Sequence, residues 1–111
     1  MTDQETWHGI NVPALSTLAK YGWTRGDWER TLKAQGYGCG VCGKVPSSGR
    51  LNIDHEHVGR WKHMPPEKRR TYVRGICCYV CNRFVLNNRT NANLHRQAAE
   101  YLDAYAGRRN D

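Results

Sequence analysis

Apolar residues recur at helical spacing in three stretches of the chain, and the stretches are separated by glycine- and proline-containing turns. Between Pro13 and Lys20 the spacing of Leu15, Leu18 and Ala19 predicts a short helix, with Pro13 suited to its first turn and Gly22 just past its end. A second helix is predicted from about Asp27 to Gln35, where Trp28 and Leu32 stand four apart on one face. Thr24 or Asp27 can cap its start and Gly36 can stop it. The longest runs from Asn91 to Tyr105, with Leu94, Ala98, Tyr101, Leu102 and Tyr105 on one stripe and Gly107 ending it. Residues 1–12, with Trp7 and His8, show no periodicity and are predicted to form a loosely held arm; the tail from Arg108 is expected to fray.

The middle of the chain follows other rules. Gly36, Gly38, Gly40 and Gly43 crowd Cys39 and Cys42, as in a knuckle whose backbone folds tightly with N–H groups turned inward. After the turn signal Pro46-Ser47-Ser48-Gly49, residues Arg50 to His57 alternate weakly through Leu51 and Ile53, which predicts one strand of a small hairpin. Residues 60–74 read as a basic loop, because Pro65-Pro66 breaks any continuous helix or strand. Cys77 to Asn82 form a second knuckle, leading into a short helix through Phe84, Val85 and Leu86.

Composition sharpens this picture. At 111 residues, with 39% apolar residues and a mean hydropathy of −0.81, the chain is one domain with a thin core, the kind that recruits a metal, disulfides or a partner subunit. The expected organisation is a single domain over 1–111, made of an N-terminal helical region (1–36), a central core (37–88) and a C-terminal helix (89–107). Neither a long apolar run nor a basic leader is present, so no membrane partner is expected and a cytoplasmic location is. A net charge of +7 points to a polyanionic partner, of which nucleic acid is the commonest.

In a reducing compartment, five cysteines arranged as C-x-x-C pairs read as metal ligands. Cys39, Cys42, Cys78 and Cys81 supply four thiolates in two pairs, the set tetrahedral Zn²⁺ favours. The competing reading is buried or disulfide-bonded cysteines. Cys77 would make C-x-x-x-C with Cys81, so Cys78 is the better ligand and Cys77 the buried apolar residue. The 35 residues between the pairs exceed a compact zinc ribbon and leave room for a functional hairpin.

Asp54-His55-Glu56-His57 follows directly on the predicted strand. Strand alternation points Asp54 and Glu56 one way and His55 and His57 the other, unless a bend brings neighbours together. A carboxylate suits Mg²⁺, and an imidazole titrating near neutrality can take a proton from water, so the ingredients fit metal-assisted phosphodiester hydrolysis. Standing alone the motif fits zinc-ligating or surface histidines equally well.

In order, the chain reads Cys39-x-x-Cys42, Leu51-x-Ile53-Asp54-His55-x-His57-x-Gly59 and Val73-Arg74-Gly75-Ile76-x-Cys78-x-x-Cys81-Asn82. Over roughly residues 35–86 it resembles the recombination endonuclease VII family, within the His-Asn-His (HNH, ββα-metal) nucleases. The resemblance implies an α+β, zinc-stapled, treble-clef-like ββα-metal (HNH) domain with flanking helices, one structural zinc per chain, and a metal-dependent DNA endonuclease, of a kind that phages encode to act in a host cytoplasm. It implies Asp54 and Asn82 as ligands of a catalytic Mg²⁺ or Mn²⁺, His55 as the general base and His57 as a second active-site histidine near the scissile phosphate. The expected task is DNA recombination, by resolving Holliday junctions or other branched DNA. A homodimer would cut both strands, pairing through Leu15, Leu18, Trp23 and Trp28 and through Leu94, Tyr101, Leu102 and Tyr105. Two rivals are an HNH nicking or packaging-associated enzyme and a non-catalytic zinc-dependent DNA-binding module.

The chain departs from the family in three places: the Gly59–Val73 stretch is longer than in compact members, Cys77 replaces an aliphatic residue, and Val85 stands where the phage prototype has an acidic one. Beside a phosphodiesterase site, Arg60, Lys62, Lys68, Arg69, Arg70 and Arg74 are expected to follow the DNA backbone, with Trp61 available for stacking. The plainer alternative is a solvated charged loop.

Overall fold

A computed structural model describes residues 4–87 and 91–109. Where an unpaired arm was expected, the chain opens with a small antiparallel hairpin, β1 (Thr6–Trp7) and β2 (Ile10–Asn11), in register Trp7↔Ile10. His8 and Gly9 form its two-residue turn, both at positive φ (55° and 76°), the conformation that matches the twist of paired strands. Ile10 is completely buried, and the Asn11 N–H donates to the Gly49 carbonyl at 2.8 Å. Two strands of two residues each are too short to show alternation.

Helix α1 (Leu15–Lys20) and helix α2 (Arg25–Ala34) follow. Thr24 is the cap of α2: its hydroxyl accepts from the Asp27 N–H at 3.2 Å while Asp27 accepts from the Thr24 N–H at 2.8 Å, a reciprocal capping box. Leu18, Trp28 and Leu32 face inward and are buried, so Leu18 and Trp28 belong to the core rather than to a surface available for pairing; Leu15 remains 78% exposed.

Strands β3 (Asn52–His55) and β4 (Val73–Cys77) form the central antiparallel hairpin, pairing Ile53 with Ile76 and Asp54 with Gly75. Its core-facing residues join Ile10, Leu18, Trp28 and Leu32 in one cluster, which packs the N-terminal elements on the hairpin. The stretch between these strands is ordered rather than a loop. It holds a 3₁₀ turn (Trp61–His63), helix α3 (Pro66–Arg69) and a second 3₁₀ turn (Arg70–Tyr72). Pro66 occupies the first helical position, where a missing N–H is harmless, so the proline pair starts a helix here.

After β4 a single π-helical turn (Cys81–Val85) carries Asn82. Helix α4 (Ala92–Arg109) continues through Gly107, which does not end it. Its apolar stripe faces outward: Leu94, Tyr101, Leu102 and Tyr105 are all exposed. No described helix is long and apolar enough to cross a membrane.

Candidate active site

Cys39, Cys42, Cys78 and Cys81 converge with all four sulfurs within 4.8 Å of one another. Four sulfurs about 2.3 Å from a tetrahedral zinc lie about 3.8 Å apart, and the Cys42 and Cys78 sulfurs are separated by 3.8 Å. Burial pushes the Cys39 and Cys81 thiols up, and at Cys39 backbone N–H groups of Cys42, Cys78 and Val41 outweigh it and favour the thiolate a metal needs. Burial raises the Cys77 thiol to about 12, so this residue stays neutral and packs in the core, outside the cluster. The donor set and its spacing fit a structural zinc.

One residue that the sequence reading passed over ties the zinc knuckle to the hairpin. Gln35, at the end of α2, donates through Nε2 to the Gly38 carbonyl (2.9 Å) and the Ile76 carbonyl (2.8 Å), and accepts from the Ile76 N–H at 2.9 Å. A Cβ on Gly75 would stand 2.7 Å from the Gln35 Oε1, so any side chain there would displace this amide from its hydrogen bonds. A glutamine at a helix end facing two glycine-rich segments was the only sequence signal for it.

Asp54 is 2% exposed. Its two oxygens accept from Arg74, Oδ2 from Nε at 2.8 Å and Oδ1 from Nη2 at 3.0 Å. Arg74 reaches it through an irregularity in the ladder: Asp54 pairs with Gly75 but His55 with Val73, leaving Arg74 as the extra residue of a bulge. Each carboxylate oxygen retains a second lone pair. Asp54 and the amide oxygen of Asn82 are donors of the type Mg²⁺ or Mn²⁺ takes, although the two line different cavities.

As strand alternation requires, the histidines turn away from Asp54. His55 and His57, with ring centroids 5.1 Å apart, line a cavity of about 330 Å³ with Val58, Arg60, Trp61, Lys62 and His63. Burial first, and then the charges of His57, Arg74 and Lys20, hold the His55 imidazole below its ordinary value against the opposing pull of Asp54. A second cavity joins His57 to Asn82, Tyr79, Arg83 and Asn87. His57 is the residue common to both.

The basic segment divides. Arg60 and Lys62 are exposed at the cavity holding both histidines, and Lys68 is exposed on α3. Arg69 donates to the carbonyls of Lys20 (3.0 Å) and Lys62 (2.7 Å), and Arg70 to the Gly22 carbonyl and to Asp27. With Arg74 on Asp54, three of the six cations are committed to bonds within the fold. Trp61 is 6% exposed and cannot offer its face to a base.

A sequence model of the recombination endonuclease VII family matches residues 14–104, most of the chain. The chain belongs to the recombination endonuclease VII family. Membership implies a nuclease, with DNA as its substrate. No curated protein and no solved structure gave a match. Within this member of the family the matched span takes in the cysteine cluster, the whole β3–β4 hairpin and the ordered stretch between its strands.

Proposed function

We propose that this chain is a divalent-metal-dependent endonuclease that cuts branched DNA, with His55 as the general base. The observation that carries this reading is the placement of His55: half-buried, held toward its neutral form, and opening with His57 on a cavity flanked by two exposed cations, Arg60 and Lys62. A neutral imidazole can accept a proton from an attacking water, and the cations can hold the phosphates on either side. Asp54 and Asn82 are the residues that would hold the catalytic metal, which when bound neutralises charge growing on the phosphate. Arg74 orients Asp54 through two hydrogen bonds, and His57, shared between the two cavities, faces the phosphate.

The branched-DNA assignment rests on the recombination role in the family's description. Its natural form is a homodimer, because a four-way junction needs incisions in two symmetry-related strands and a two-fold assembly supplies two identical sites. The exposed stripe of α4 supports pairing; the buried Leu18 and Trp28 do not take part in it.

The test is single-turnover cleavage of matched linear, nicked, mismatched and four-way DNA with Mg²⁺. Preference for the four-way substrate with paired incisions is expected. His55→Ala should slow cleavage by about 10²–10⁴-fold while zinc content stays the same. Equal cutting of linear duplex by a monomer would reduce the assignment to a general nickase, and a His55→Ala protein as active as the wild type would remove His55 from the role of base.

A further inference from the structure

The ordered stretch between β3 and β4 does more than bridge two strands. His55 sits where the ladder is irregular, and among the described residues no hydrogen bond orients its imidazole. Aromatic rings surround it instead. Trp61 is stacked on it, with centroids 4.1 Å apart and planes 20° from parallel, and Tyr21 meets both rings from α1's end at 5.8 Å and 5.5 Å.

We propose that Trp61 is a positioning residue for His55, its indole fixing the plane of the imidazole, and that Arg69 is the clamp that holds the indole in place. The proposal rests on the reading of His55 as general base. Three further observations bear on it. The indole Nε1 is buried with no hydrogen-bond partner among the described residues, an unfavourable arrangement, so the ring is kept there for its face rather than for its polar edge. Arg60, directly before it, holds the left-handed conformation at φ 63°, a position a side chain occupies only when its surroundings impose it. Arg69 places its guanidinium 5.2 Å from the indole centroid while both of its terminal nitrogens are tied to backbone carbonyls, one at the end of α1 and one beside Trp61. Arg70 anchors the same segment to Gly22 and Asp27 at the α1–α2 turn. Misorienting a reacting group by a fraction of an ångström to an ångström lowers rates by up to about 10²-fold, which makes such a bracket worth its polar penalty.

The experiment uses the full zinc-loaded protein. In proton NMR, the carbon-bound ring protons of His55, identified by their loss in His55→Ala, should lie upfield of the positions of an unstacked imidazole, because they sit over the indole face. Trp61→Leu should abolish the displacement and lower the single-turnover rate on DNA by about 10²-fold with KM little changed. Trp61→Phe, which keeps an aromatic face, should recover most of both. Zinc content and thermal midpoint are measured alongside; the wild-type spectrum alone tests the stacking should Trp61→Leu not fold. Wild-type His55 protons at unstacked positions would overturn the proposal, as would a folded Trp61→Leu protein that cuts at the wild-type rate. A wild type that cuts none of the DNA substrates would instead overturn the nuclease reading, and with it the role of His55 as the base to be positioned.

Discussion

Replacing Gln35 by Leu removes a side chain that links the end of α2, the first zinc knuckle and β4. Three backbone groups are deprived of a partner, but not equally. The Ile76 carbonyl keeps the Gly40 N–H at 2.9 Å, whereas neither the Ile76 N–H nor the buried Gly38 carbonyl has another described hydrogen-bond partner. Ile76 is 0% exposed, so water cannot substitute at its N–H. At about 1–3 kcal/mol for each buried group left unpaired, the loss is about 2–6 kcal/mol, a large part of the roughly 5–15 kcal/mol typical of a domain. The expected fall in thermal midpoint is roughly 10–25 °C, measured by circular dichroism at a fixed excess of zinc so that metal occupancy does not move the transition. Gly75→Ala reaches the same amide from the opposite side, through the 2.7 Å approach of a new Cβ to a side chain pinned by three bonds, and should destabilise by about 1–3 kcal/mol. A Gln35→Leu protein that melts within about 2 °C of the wild type would refute this accounting.

Cys78→Ser should strip zinc and helicity together, while Cys77→Ser should keep its metal; elemental analysis with circular dichroism decides, and the reverse pattern would exchange the two assignments. The Thr24 N–H first, and then Arg70, hold the Asp27 carboxyl well below the usual carboxylate range. A lowered folded value means stability that is present above about pH 4 and lost as pH falls through the folded value. Asp27→Asn should therefore cost about 0.5–2 kcal/mol at pH 7, with the gap to the wild type narrowing below about pH 4 in denaturant titrations. Replacing Arg60 and Lys62 by Ala should reduce the salt dependence of DNA affinity, by up to about 0.9 in log–log slope for every phosphate that the two side chains neutralise. An unchanged slope would take both residues off the DNA.

Chemistry was more legible in the sequence than packing. The two C-x-x-C pairs and the glycines around Cys39 announced a knuckle because few other folds need that composition, and the choice of Cys78 over Cys77 follows from spacing alone. Alternation correctly separated Asp54 from His55 and His57. What stayed hidden was non-local. Residues Lys68 to Arg70 look like a charged loop until Lys20, Gly22 and Asp27, some 40 to 50 positions away, are seen to receive two of those side chains. The first hairpin escaped because its only local signal is a His8-Gly9 turn between Trp7 and Ile10. Arg74 could be placed on Asp54 only once the bulge in β4 was known.

Helix α4 has a consequence for how the chain opens. An α-helix of 18 residues is about 27 Å long, and one whose side chains contribute little to a shared interior draws its stability mainly from its own backbone ladder, which is marginal in water at such lengths. The amides of Ala92 to Arg109 and those of Asn52 to His55 thus belong to different cooperative units. In native-state hydrogen exchange the helix should release its protons through small local openings, while the hairpin, locked by Ile53, Ile76 and the cysteine cluster, should release them only when the whole domain unfolds. Protection along α4 that rises with protein concentration, or on adding DNA, becomes a residue-by-residue record of what comes to lie against its outer face.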